Sequence, residues 1–362
     1  MRVYTSMEIK RVSVHIVTYN NEDDIWDCLS AVTQQNYPIQ QILVIDNQSG
    51  DATISRVSLC CEKMNISLKV VKAEENTSGK LTKNNNFELT LNNPKPIRIQ
   101  GTEVILIRNT DNTGFAPAHN AAINRTDTDY CLVLNPDVTL APDYVSRLVS
   151  VMEANPRIGS ATGKLLLKRD PSLVDSTGLW MNRARRAFDR GMEEPAERWN
   201  ESGEVFGVSG AAALYSRRMI EDIRVDGEFF DGDFFAYKED VDVAWRARLY
   251  GWTAYYDAEA LGYHERGWKP SGRSDKALFI RRISYINRYK MLYKNEPART
   301  LSFTLVVSLP YEIAAHGYML LKERDLFGAW RLFKTQWRNL RQKRKEIQRV
   351  AAERRKTGRA QH

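Results

Sequence analysis

The run VSVHIVT at residues 12–18 leads directly into Tyr19-Asn20-Asn21-Glu22. A short stretch rich in β-branched side chains, closed by a polar cluster, predicts a buried strand whose carboxyl end opens onto an edge. Asn20 to Asp24 supplies helix-starting residues, and Ile25, Leu29 and Val32 follow at helical spacing until Pro38 breaks the run. QILVID at 41–46 is a second apolar strand, again closed by polar residues from Asn47 to Asp51. Residues 52–64 predict a second helix, and LKVVK at 68–72 a third strand. Short strands alternating with helices are the signature of βαβ units, so the fold class is α/β with a mostly parallel central sheet.

Outward from this opening the alternation is interrupted once. Residues 73–103 contain Asn84-Asn85-Asn86, Pro94 and Pro96 and read as an inserted surface loop, with a hairpin expected at 87–91. Strands resume at 104–108 and 130–134, with helices at 117–124 and 143–155. From 160 to 263 strands and loops dominate around one helix at 241–250, and after Gly272 the chain reads as helical. The expected division is a catalytic α/β domain over 1–272 and a helical C-terminal region over 273–362.

Composition narrows the class. With 362 residues, 43% apolar and 27% charged, the chain is neither disordered, nor collagen-like, nor a polytopic membrane protein. Four Cys without a Cys-x-x-Cys pair exclude a disulfide scaffold and a zinc ribbon, and predict reduced, buried thiols. Residues 1–11 are polar, which predicts no signal peptide and a cytoplasmic location; the Asn-x-Ser/Thr sequences are then incidental. The net charge of +8 is unevenly spread: from Lys322 onward fourteen Lys or Arg face four Asp or Glu, leaving a slightly acidic body. Such a tail suits an anionic polymer or membrane surface, or is a solvated helix face.

In an open parallel sheet, ligands bind at the carboxyl ends of the strands. Three apolar strands here end in polar clusters: Thr18-Tyr19-Asn20, Asp46-Asn47-Gln48-Ser49 and Asn135-Pro136-Asp137. Neither a Gly-x-Gly-x-x-Gly turn nor a phosphate loop follows any of them, which excludes the usual dinucleotide and P-loop sites. Gly207-Val208-Ser209-Gly210 lacks the spacing of a hydrolase elbow, and His264-Glu265 has no second His at metalloprotease spacing.

The runs VHIVTYN (14–20), VIDNQS (44–49), NTGFAPAHN (112–120), LNPDV (134–138) and FFAYKEDVDVAWR (234–246) occur in that order. Together they resemble the family 2 inverting glycosyltransferases, most closely the bacterial rhamnosyltransferase-like branch, over about residues 12–268. The resemblance implies the GT-A fold, a nucleotide-sugar donor and a divalent metal, Mg or Mn. It implies that Asp137 binds the metal, with Asn135 standing where the family often has a first acid. It also implies that His264 is a metal ligand, that Asp46 reads the nucleobase beside Thr18 and Asn20, and that Asn112, Gly114, Phe115 and Asn120 form a second donor loop. A hard cation held by one or two protein groups, with phosphate oxygens completing its shell, suits a diphosphate leaving group. Asp231-Gly-Asp233 is a literal Asp-x-Asp but aligns elsewhere in the family and is not taken as the metal motif.

Inverting transfer needs a carboxylate to remove the acceptor's hydroxyl proton. Asp240 is the candidate base, at the start of the 241–250 helix where a plain capping acid would also fit. Glu239 and Trp245 are assigned to the acceptor and Asp242 to the fold. Residues 266–273, with Arg266, Trp268, Lys269 and Arg273, read as a loop closing over the pyrophosphate or as a linker. The reading is transfer of L-rhamnose from dTDP-L-rhamnose, or of another UDP- or GDP-linked sugar, to a saccharide or lipid-linked saccharide. A sugar nucleotidyltransferase would carry a Gly-rich basic loop after the first strand, and a nucleic-acid-binding protein a recognised motif; neither is present, so no nucleic-acid partner is expected.

Residues 301–321 lack Lys and Arg but include Glu312, Pro310, His316 and Gly317. They predict helices lying in a membrane interface rather than crossing it. A basic helix at 330–355 follows, with Trp330, Phe333 and Trp337 as an aromatic stripe toward an anionic inner membrane face.

Overall fold

The chain begins with β1 (Val12–Thr18), α1 (Ile25–Thr33), β2 (Ile39–Asp46), α2 (Thr53–Lys63), β3 (Ser67–Lys72), β4 (Glu103–Arg108), α3 (Phe115–Arg125) and β5 (Tyr130–Leu134). These elements come from a computed structural model, which describes residues 9–72, 102–266 and 277–358. The expected hairpin at 87–91 lies outside the described residues, as does most of the expected 266–273 loop. β1 is central because both of its faces are apolar: Val12, Val14 and Ile16 are fully buried, and β2 and β5 flank it in parallel. The order β3-β4-β2-β1-β5 is parallel throughout, so the polar clusters that end β1, β2 and β5 emerge at one edge.

The chain continues through β6 (Val138–Leu140), α4 (Tyr144–Ala154), β7 (Ile158–Leu167), β8 (Asp170–Ser176), β9 (Leu179–Met181), β10 (Ala187–Asp189), β11 (Gly203–Val205), β12 (Ala212–Ser216), α5 (Arg217–Asp222), α6 (Glu239–Tyr250) and β13 (Thr253–His264). β12 runs antiparallel between β5 and β7 and extends the sheet to eleven strands. α5 was not expected; at six residues it is too short to show a period, and Ser216 caps it by accepting from Met219 N at 3.2 Å. All four cysteines are free and buried.

Four helices end the described chain: α7 (Leu278–Asn295), α8 (Ala298–Lys322), α9 (Ala329–Thr335) and α10 (Trp337–Lys356). Ile347 and Ala351 of α10 pack in one cluster with Tyr215 of β12 and Tyr256 of β13. The basic helix at 330–355 is two helices, and its aromatic stripe packs partly on α7, with Trp330 5.0 Å from Tyr289 and Trp337 4.8 Å from Tyr293 between ring centres. Among the described residues, no helix is long and apolar enough to cross a membrane.

Candidate active site

A cleft of about 270 Å³ opens at the carboxyl edge of the parallel strands. Thr18, Asn112, Gly114, Phe115, Asn135 and Asp137 all line it. The loop before α3 is held to β2 by Asn47, whose amide donates to Gly114 O at 3.1 Å and whose carbonyl accepts from Thr113 Oγ1 at 3.1 Å. Gly114 has φ 88, and a Cβ there would meet the Phe235 ring and carbonyl at 2.6 Å. Only glycine meets both demands.

At the end of β5, Asp137 faces His264 because β13 pairs β6 with His264 opposite Val138. His264 Nε2 lies 3.2 Å from Asp137 Oδ1, and its Nδ1 lies 2.8 Å from Asp175 Oδ2. Asp175 is fully buried and also forms an ion pair with Arg266 Nε at 2.6 Å. This carboxylate fixes the imidazole orientation, as outer partners of metal-binding histidines do. Burial alone would lower the His264 pKa, but hydrogen bonding and charge from Asp137 and Asp175 raise it to about 9. Asp137 Oδ1 is buried without a hydrogen bond that meets normal geometry. Among the described residues, no group of three or more His, Cys, Asp or Glu is placed to hold a metal.

Asp240 begins α6. It is half-buried, and its carboxylate accepts from Val241 N at 2.7 Å and Gly210 N at 3.3 Å. Gly210 lies between Asp240 and Phe115, so the candidate base sits against the wall of the donor cleft. Ala211 then ties this loop to β5 through Asn135 N, at 2.8 Å. Burial raises the Asp240 pKa, partly opposed by Lys238. Glu239 is 7% exposed with Oε2 unpaired, and burial and the adjacent Asp240 raise it to about 8.

The segment before α6 is strained: Phe235, Tyr237 and Lys238 have φ of 61, 69 and 73. Asn287 of α7 clamps it. Its buried Nδ2 donates to the carbonyls of Phe234, Ala236 and Tyr237 at 2.8, 2.9 and 2.9 Å. Phe235 and Ala236 line the donor cleft, so the clamp serves both the cleft and the helix that carries Asp240.

Four assigned residues have other surroundings. Asp46 is 1% exposed and lies behind the cleft, where it accepts from Thr18 Oγ1 at 3.1 Å and Ser49 N at 3.1 Å. Asn20 turns away toward the β2 turn and accepts from Gly50 N at 2.8 Å. Asn120 is buried and staples Phe230 through its backbone N–H and C=O, at 3.0 and 2.7 Å. Trp245 packs in the core with Leu179, Phe234 and Met291, under the Arg185 guanidinium. Each of these contacts ties its side chain to the fold, while Asn20 remains exposed.

Asp231 and Asp233 hold cations of the chain itself. Asp231 pairs with Lys294 and, at 2.6 Å, with Lys343; Asp233 lies 3.0 Å from Lys343. Burial would raise the Asp231 pKa, but the two lysines pull it well below the usual carboxylate range. Asp242 pairs with Arg246 and Lys294 at 3.0 Å each, as its assignment to the fold requires. Tyr19, Asn47, Phe235 and Ala236 of the cleft were missed, as was Asp175. Tyr19 and Asn47 carried a signal in their place in the strand-end clusters, and Phe235 and Ala236 in the 234–246 motif; Asp175 carried none.

The model of Glycosyl transferase family 2 matches residues 13–86 and 94–224, more than half of the chain. The chain belongs to this family. Its relatives include poly-beta-1,6-N-acetyl-D-glucosamine synthases of Staphylococcus epidermidis, 20% identical over 254 residues, and of Staphylococcus aureus strain MSSA476, 22% identical. Each match covers 70% of this chain and 50% of the relative, so the glycosyltransferase spans about half the length of the curated relatives it matches. The structure of GalNAc-T7 with UDP, GalNAc and Mn2+ superposes with TM-score 0.55 at 11% identity, over 80% of this chain and 48% of that one. That likeness confirms the α/β GT-A fold.

Proposed function

We propose that this family 2 enzyme moves a sugar, with inversion, from a nucleoside-diphosphate donor to a hydroxyl of a saccharide or lipid-linked saccharide. The observation that carries the reading is the cleft itself: Asp137 and His264 meet at its edge, and Asp240 lies behind its Phe115 wall. Asp240 takes the acceptor hydroxyl proton as that oxygen bonds to the anomeric carbon. The carbon–phosphate oxygen bond breaks, and its electron pair leaves with the nucleoside diphosphate. Burial and the adjacent Asp240 favour the protonated form of Glu239, which keeps a second negative charge away from the base. Asp137 and His264 are suited to hold a divalent cation, Mg or Mn, because a carboxylate and an imidazole oriented by Asp175 stand side by side, and the cation would replace the proton between them. Bound there, it would neutralise charge on the diphosphate.

Support for the donor sugar is divided. The motif resemblance favours dTDP-L-rhamnose, whereas the relatives are named for polymers of N-acetylglucosamine. A donor panel read by thermal shift with Mn²⁺ decides it, since a true donor stabilises the fold by mass action. Stabilisation by dTDP-rhamnose and not by UDP-N-acetylglucosamine supports the rhamnosyl reading; the reverse assigns the enzyme to the relatives' sugar. No stabilisation by any nucleotide sugar would sink the transferase reading. A lipid-linked acceptor would place the enzyme at the cytoplasmic face of the cell membrane.

A further inference from the structure

α8 is amphipathic in the reverse sense for a soluble protein. Thr304, Ser308, Glu312 and His316 recur every fourth residue and face the protein. Thr304 Oγ1 donates to the buried Glu296 at 2.8 Å. Glu312 accepts from Arg288 and from the Tyr289 hydroxyl at 2.6 Å each, and His316 lies 3.1 Å from the Tyr285 hydroxyl. The outward side is apolar. Phe303, Val306, Leu309, Ile313, Leu320 and Leu321 are 55% to 77% exposed. Spacings of three, four and seven keep most of them on one stripe. An apolar stripe along a 25-residue helix, about 37 Å at 1.5 Å per residue, exceeds what a soluble monomer normally exposes.

Charge selects the occupant. Glu312 is the only carboxylate between Ala298 and Lys322, and it points inward. Arg299 stands at one end of the helix; at the other, Lys322 and Arg324 alternate with Glu323, which pairs with Arg281, and with an exposed Asp325. An apolar face without acids of its own, with exposed cations at both ends, matches an anionic lipid headgroup layer. We propose that α8 lies in the surface of an anionic bilayer, apolar side inserted, with its polar side on α7. This assigns membrane contact to α8 instead of the basic α10, whose Leu340, Ile347 and Ala351 are buried in the protein. It deepens the membrane placement proposed above, and donor binding in solution tests the enzyme reading separately.

The test is flotation of the full chain with phosphatidylglycerol–phosphatidylcholine vesicles, beside the double variant V306E/I313E. Both positions are 65% or more exposed, so the variant should fold, as an unchanged melting temperature and unchanged nucleotide binding would verify. The expected result is co-flotation of the wild type, at least tenfold weaker partitioning of the variant, and weaker binding to phosphatidylcholine alone. Wild-type binding should fall only in part at about 1 M salt, because the apolar contact is not screened. Equal flotation of wild type and folded variant would overturn the proposal, as would complete salt release. Light scattering that shows a wild-type dimer, made monomeric by the variant and indifferent to vesicles, would assign the face to a second copy instead. Should the double variant misfold, V306E alone is read in the same assay.

Discussion

Replacing Asn287 by Ala tests whether the clamp on the 234–238 segment serves catalysis. One amide nitrogen supplies two protons to three carbonyls. Its loss removes about two hydrogen bonds and leaves buried carbonyls unpaired, a cost of about 2–4 kcal/mol. The three left-handed residues it holds, Phe235, Tyr237 and Lys238, store about 1–3 kcal/mol each and would relax once released. Asp240 follows two residues later. A displacement near 1 Å at a reacting group costs on the order of 100-fold. The expected N287A enzyme is folded, melts lower and turns over about 10- to 100-fold more slowly at saturating donor and acceptor. Its pH profile should also shift, because the surroundings that raise the Asp240 pKa are rearranged. N287D should be worse, since a carboxylate offers those carbonyls no donor. A folded N287A that keeps turnover within about threefold, with an unmoved pH profile, would refute the positioning argument.

Asp240→Asn keeps size and removes the base, so turnover should fall about 10²- to 10⁴-fold with donor affinity unchanged in titration calorimetry. Asp137→Ala should abolish metal-dependent donor binding without lowering the melting temperature. Asp231→Ala should do the opposite, because it strips a partner from buried Lys294 and Lys343 at a cost of about 3–5 kcal/mol. Glu239 is raised to about 8, so folding favours its protonated form. Its stabilising share is full below the ordinary carboxylate range and is lost as pH climbs to about 8; Glu239→Gln should flatten that decline in pH-dependent melts. Gly114→Ala forces a methyl into Phe235 at a positive φ, and should weaken donor binding more than it lowers the melting temperature.

The donor side was legible because each signal is local. An apolar strand followed at once by polar residues places Thr18, Asn135 and Asp137 at a cleft edge without knowledge of any distant contact. Asn112, Gly114 and Phe115 came from an ordered motif match. Surroundings are not legible where identity is local but orientation is not. Asp46 ends a strand as Asp137 does, yet Thr18 and Ser49 take its oxygens. Trp245 lies five residues past Asp240, about 140° around the helix, which turns it into the Leu179–Phe234–Met291 core. The tail misled for a related reason. A run of cations reads as a free basic helix until acids more than a hundred residues away are known to meet Lys343.

Those distant acids explain why charge is buried beside α6. Asp231 and Asp233 close the turn before the strained segment, and Asp242 sits on the first turn of α6. Lys294 bridges Asp231 and Asp242, so the two sides of the segment are tied to one ammonium from α7. Lys343 adds α10 to the same knot. Apolar packing alone would hold α7 and α10 against the domain but would tolerate sliding, whereas hydrogen-bonded charges fix register. A buried ion pair adds little net stability over a packed apolar pair, so stability does not account for its use here. Register does: Asn287 must reach three particular carbonyls, and a half-turn slip of α7 would miss all of them. The C-terminal helices therefore buttress the segment that leads to Asp240 from outside the matched family segment. Their exchange for an unrelated helical pair should cost turnover even where the parallel sheet and donor cleft are intact.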